Sequence, residues 1–235
     1  MRKMSIFTVI VCATLLVLAL PAFADSTINF GQPTAPYTTL TTDFGGGDAS
    51  GNFINSLESG GVGFTFSGPM QELSVSNSTT APWASWNNPP FVENSAPNVL
   101  FDGALGIGNA GQNPFTLTLT GSYNTVGFEL DPEATQVVPF TVVFYDGANV
   151  VGTINQSVNG TEGAELFALE DYTPGAEITS VVITDTTSGG DSQGFAFAQL
   201  RAGNLPSPVP EPGTLSLLAL GTLALAKRAY RKVKA

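Results

Sequence analysis

Phe115-Thr116-Leu117-Thr118-Leu119-Thr120 sets apolar and hydroxyl side chains in strict alternation. Successive side chains of an extended chain point to opposite faces, so a period of two suits a half-buried strand; a helix would scatter these apolar residues around its circumference. Gly121-Ser122 reads as a turn, after which Val126, Phe128 and Leu130 share one face. Residues 140–145 and 150–157 flank Asp146-Gly147-Ala148-Asn149, a hairpin signal with a slightly long loop. Residues 178–184 and 194–200 supply two more strands, and 27–30, 63–66, 73–76 and 98–101 read similarly. Helical periodicity is nearly absent. About a dozen short strands separated by Gly, Asn, Asp and Pro turns predict an all-β fold, a single antiparallel β-sandwich of jelly-roll type spanning residues 25–204.

The two ends of the chain obey different rules. Arg2 and Lys3 precede an apolar stretch closed by Pro21 and Ala22-Phe23-Ala24. A positive start, an apolar core and small residues at Ala22 and Ala24 predict a secretory signal peptide over residues 1–24, cut after Ala24; an uncleaved anchor is the alternative. Cleavage removes Cys12, the sole cysteine, so the exported body must be held by core burial without disulfides. All 19 Asp and Glu lie between Asp25 and Glu211, with one basic residue, Arg201, for a net −18. Nucleic acid needs a basic footprint, so it is excluded as a partner.

The other end reads Val209-Pro210-Glu211-Pro212, then an uncharged apolar run over residues 213–226, then Lys227, Arg228, Arg231, Lys232 and Lys234. As a helix the apolar run would reach ~21 Å at 1.5 Å per residue, short of a hydrocarbon core of ~30 Å, though snorkelling lysine and arginine stems extend it. The reading is a short transmembrane helix over 213–226 with a cytoplasmic basic tail at 227–235, oriented by the positive-inside rule. Prolines at 206, 208, 210 and 212 keep the linker at 205–212 extended, open to a processing enzyme.

In this order, motif, short span and basic cluster, the tail resembles the PEP-CTERM sorting signal of exopolysaccharide-producing Gram-negative bacteria. The resemblance implies that Pro210, Glu211 and Pro212 are the recognition residues. It further implies an exosortase, a membrane-embedded cysteine peptidase, as partner. The chain would pause in the inner membrane, then reach the cell surface or the outside. An ordinary single-span anchor is the alternative. More loosely, NVLFDG, FTLTLTGSYNTVGFEL, FTVVFYDGANVVGTI, ITSVVITD and GFAFAQLRAG resemble bodies that precede such tails, and no catalytic motif comes with that likeness.

Chemistry is sparse. The chain has no histidine, the mature chain no thiol and the body no lysine, which removes the usual triads, His-based metal sites and Schiff-base mechanisms. Gly106-Ile107-Gly108-Asn109-Ala110-Gly111 spells a dinucleotide fingerprint, but Pro114 and a strand follow where a helix is required, so it reads as a loop. Glu129 and Asp131 lie two apart on a strand and share a face, with Glu133 just beyond. Alternating with Phe128 and Leu130, they are expected on a solvated outer face, with a glycosidase-like pair as the alternative. Turn aspartates at 43, 48, 102, 146, 185 and 191 could hold a structural calcium, though no loop motif organises them. Trp83 and Trp86, in a polar, proline-broken loop, are candidates to stack on a sugar, or else to cap the core.

The expectation is therefore a non-catalytic, exported surface or matrix protein, associated with extracellular polysaccharide or biofilm. The alternatives are a carbohydrate-binding module using Trp83 and Trp86, and a secreted hydrolase using two carboxylates. No cofactor is expected.

Overall fold

A computed structural model describes residues 26–33, 37–42, 51–75, 86, 93, 97–102, 112–133, 136–175, 177–187, 194–206 and 221. The chain divides into one unit, Asp25–Pro206, and a second comprising Met1–Ala24 and Ser207–Ala235, of which only Gly221 is described. The expected signal peptide, Pro-rich linker, transmembrane helix and basic tail thus lie outside the described residues, apart from residues 205–206 and Gly221.

Among the described residues, eleven strands make up the body. In chain order they are β1 (Ser26–Gly31), β2 (Phe53–Ser59), β3 (Val62–Ser74), β4 (Asn98–Phe101), β5 (Phe115–Tyr123), β6 (Thr125–Pro132), β7 (Val137–Asp146), β8 (Asn149–Asn159), β9 (Glu165–Asp171), β10 (Ile178–Asp185) and β11 (Phe195–Gly203). One 3-10 turn, Tyr37–Thr39, follows β1. Every pairing is antiparallel, in the order β1-β9-β6-β11-β4-β3-β5-β10-β7-β8, with β2 on β3 off that path. The end strands β1 and β8 approach each other, so the sheet wraps almost into a barrel. The all-β, antiparallel expectation holds, and the facing layers are opposite walls of one sheet. Accumulated strand twist curls a sheet of this size.

Alternation positions the core. On β5, Phe115, Leu117 and Leu119 point inward; on β7, Val138, Phe140, Val142 and Phe144 do so. Phe195 and Phe197 of β11 are the centre of an aromatic lattice. Phe195 meets Phe115 edge-on at 5.7 Å and Phe140 at 5.9 Å, while Phe197 meets Phe128 at 5.6 Å and Phe66 at 6.1 Å. Each buried ring contributes roughly 1.5–3 kcal/mol by area, and each pair about 0.5–1.5 kcal/mol more. That burial is the stabilisation available to a body without a disulfide.

Two local readings change. The expected turn at Gly121-Ser122 is strand: β5 runs on to Tyr123, with Gly121 at φ 115°, and at Asn124 the chain passes without reversing into β6, which pairs with other strands. The Asn124 side chain fixes that crossing, donating to the Leu205 carbonyl at 2.7 Å and accepting the Leu205 N–H at 2.9 Å. The hairpin at Asp146-Gly147 forms, but its loop is two residues, Gly147-Ala148, shorter than expected, with Gly147 at φ 55°.

The two halves of the sheet differ on their outer sides. Strands β5, β7 and β10 alternate buried with more exposed residues, as half-buried strands should, and β8 is mostly exposed. By contrast every residue of β6 and β9, and all of β11 except Gly203, is buried. Those three strands are covered on both faces.

Candidate functional site

Glu129 and Asp131 lie under that outer cover. Both are 0% exposed, which corrects the expectation of a solvated face. Alternation assigned their face correctly, opposite Phe128 and Leu130, but a second layer of chain seals it. The floor around them is small: Ala196 registers on Asp131 and Phe101, Ala198 on Glu129, and Ala168 on Gly127. Small side chains leave room for large ones above. Trp86 is 0% exposed and packs with Val75, Val99, Phe101, Ala164, Ala196 and Ala198; Tyr37, also 0% exposed, packs with Leu166 and Ala168. A Cβ on Gly127 would lie 2.4 Å from the Ala168 Cβ and 2.7 Å from Tyr37 Cε2, so only glycine admits the tyrosine here.

A bulge supplies the cation. Residues 195–198 of β11 pair with β6 in one register and 201–203 in another, so Gln199 and Leu200 together oppose Phe128. The extra residue reverses which side chains face outward: Leu200 enters the core, and Arg201 lands outside, opposite Gly127. Gln199 takes φ 53°, a conformation unusual for a side chain of its kind. Two hydroxyls hold the bulge, Tyr37 Oη donating to the Gln199 carbonyl at 3.0 Å and Ser59 Oγ to the Leu200 carbonyl at 2.9 Å.

Arg201 then ties the cover down. Its Nη1 and Nη2 donate to Glu93 Oε1 and Oε2 at 2.5 and 2.7 Å, its Nε donates to the Leu40 carbonyl at 2.8 Å, and its guanidinium stacks over Tyr37 at 5.2 Å. The Glu93 backbone N–H in turn donates to Glu129 Oε1 at 2.8 Å. Glu93 thus grips the sheet through both its side chain and its backbone. Burial alone would lower the pKa of Arg201, but the bidentate carboxylate more than offsets this and raises it.

Burial raises the pKa of several acids here. Burial pushes Glu129 up to about 8, against the opposing pull of the Glu93 N–H and the Arg201 charge. Burial, with the charge of Glu165, drives Asp131 well above the carboxylate range. Glu165 is raised to about 7 and Asp102 to about 6, both chiefly by burial; burial raises Glu133 as well. Among the described residues, Glu129 Oε2, both Asp131 oxygens, Asp102 Oδ2 and Trp86 Nε1 have no hydrogen-bond partner.

The buried indole of Trp86 offers no face to a sugar, so the two-tryptophan platform lacks one of its members; Trp83 lies outside the described residues. Asp43, Asp48 and Asp191 also lie outside, and Asp185 is occupied locally, its Oδ1 accepting from the Thr187 N–H at 2.7 Å and the Thr187 hydroxyl at 2.5 Å. Among the described residues no group of three or more His, Cys, Asp or Glu is placed to hold a metal. Ala22, Ala24, Pro210, Glu211 and Pro212 are outside the described residues. Tyr37, Glu93 and Gln199 escaped the sequence reading altogether. The signal that pointed here was Arg201, one cation in an acidic body, inside a strand pattern.

Residues 208–232 match the family model of the PEP-CTERM protein-sorting motif. No curated protein and no solved structure gives a match. The tail is therefore an exosortase-type sorting signal, the mark of an exported protein handled at a membrane. No helix among the described residues is long and apolar enough to cross one.

Proposed function

We propose that the chain is a non-catalytic protein of the cell surface or extracellular matrix, delivered by its PEP-CTERM tail and working outside the cell as a β-rich body beside exopolysaccharide. The observation that carries this is the sorting motif at residues 208–232, with Pro210, Glu211 and Pro212 at its head. On this reading the tail holds the chain in the inner membrane until the exosortase cuts near Pro210, and the basic terminus stays cytoplasmic.

The body fits a structural role. Its central carboxyls, Glu129 and Asp131, are sealed from solvent, and one oxygen of Glu129 is taken by the Glu93 backbone. A hydrolytic pair must flank a cleft open to substrate and water. Here the acids, the arginine and both aromatic rings serve to fix a covering layer onto the sheet.

The test is the mass of the C-terminal peptide, recovered from the host's envelope and medium. A chain ending near residues 210–213 in the medium or at the surface is the expected result. A chain ending at Ala235 and confined to the inner membrane would replace sorting with permanent anchoring.

A further inference from the structure

The exposed half of the sheet has a chemistry unlike the rest of the body. Strands β5, β7, β8 and β10 carry two charged residues between them, Asp146 and Asp185, each the last residue of its strand. The body as a whole has a net −18. Apart from those two strand ends the wall carries no charge, and its outward side chains are mostly hydroxyls, with Val143 and Val182 paired beside them. Thr65 registers on Thr118, Thr118 on Ser180, and Ser180 on Tyr145. These four hydroxyls cross β3, β5, β10 and β7 in one row, with strands about 4.8 Å apart. Among the described residues the hydroxyls of Thr65, Thr118 and Ser180 engage no other group, and both threonines are exposed.

Each hydroxyl both donates and accepts, as do the hydroxyls of a sugar ring. A polyanion would be repelled by the acidic body surrounding the face, whereas a neutral polymer would not. A folded protein partner is less suited to it. Tight protein interfaces centre on Trp, Arg or Tyr anchors in desolvated pockets, and this row offers one tyrosine at its end. Many weak, repeated contacts along a polymer chain sum through avidity instead.

We propose that the outer face of β3-β5-β10-β7, centred on Thr118 and Ser180, is a contact surface for a neutral polysaccharide. It rests on the reading that the body works outside the cell, and it replaces Trp83 and Trp86 as the place where glycan is met.

Affinity electrophoresis of the secreted protein tests it, in native gels containing galactomannan, dextran or alginate. Retardation by a neutral polymer, with affinity for alginate at least tenfold lower, is the expected result. The Thr118→Glu/Ser180→Glu pair should weaken retardation tenfold or more, Thr118→Ala/Ser180→Ala less so, and Thr27→Glu on the opposite half not at all. Unchanged Trp86 emission confirms that each variant is folded. No retardation in any neutral gel overturns the proposal, as does equal retardation of the charged pair and the native protein. Concentration-dependent dimers abolished by the charged pair, without glycan retardation, would assign the face to self-association. The C-terminal mass decides the sorting reading separately, so the two can fail independently.

Discussion

Arg201 and Glu93 lie 108 positions apart and meet as a bidentate ion pair, with side chains 7% and 21% exposed. Removing one partner of a buried pair strands the other in a poor solvent, at a cost of about 3–5 kcal/mol when burial is complete. Arg201→Ala is expected to cost about 3 kcal/mol, because it also removes the bond to Leu40 and the cation over Tyr37. Glu93→Gln, which keeps the backbone bond to Glu129, should cost less. Urea unfolding of both variants checks the order, and an Arg201→Ala change within 0.5 kcal/mol, roughly that of a plain surface site, would mean the latch is idle.

Stability should fall as pH rises. Glu129, Glu165 and Asp102 have folded pKa values near 8, 7 and 6, above their unfolded values, and Asp131 is raised too. The folded state therefore binds more protons than the unfolded state through this range, so stability is full below about pH 4 and drains away as pH climbs through the folded values. The thermal midpoint measured from pH 4 to 9 should decline, and Glu129→Gln should flatten its last part, near pH 8. A midpoint rising over the same range would contradict the burial of these acids.

Trp86 is the large side chain beneath the cover, at 0% exposure. Trp86→Ala should cost about 3–5 kcal/mol, the range for deleting a buried aromatic ring. Trp86→Phe should remove the blue-shifted, quencher-protected part of the fluorescence, leaving that of Trp83. Acrylamide quenching of the component lost in the variant at the rate of a free indole would place Trp86 in solvent.

Gly127→Ala should destabilise by about 1–3 kcal/mol, since the new methyl meets Ala168 and Tyr37 well inside van der Waals contact. The cost should shrink in a Tyr37→Ser background, where half of the collision is gone. A double-mutant cycle in urea reads this directly, and strict additivity would argue against the contact.

Glu211→Ala should leave the tail uncut if the sorting motif is read by its peptidase. The variant would accumulate with its intact C-terminus in the membrane fraction, which an antibody to the basic terminus detects. Normal release of the variant would show that Glu211 is not read.

The strands that were legible in sequence are those with one wet face. β5, β7 and β10 alternate because solvent touches every second residue, and Phe115 through Thr120 shows it plainly. β9 went unread because it is buried on both sides: Glu165-Leu166-Phe167-Ala168-Leu169-Glu170-Asp171 has no alternation and is rich in helix formers. β2, Phe53–Ser59, is a short strand off the main path and went unread as well. For the site, the spacing of Glu129 and Asp131 gave their shared face, but exposure depends on chain more than thirty residues away. Nothing local to β6 announces that Glu93 will sit on Glu129. The tail is the reverse case, since its three parts are contiguous and need no fold to be read.

The bulge at Gln199 and Leu200 gives β11 a length that counts in odd and even. Losing one residue between Ala198 and Arg201 would leave a strand-forming run, yet it would turn the body's one cation toward a lattice of phenylalanines. Substitutions at Gln199 are graded injuries, and an insertion or deletion beside it is not. Among homologous chains, variation here should therefore run through side-chain replacement at fixed length, while loops elsewhere lengthen and shorten freely.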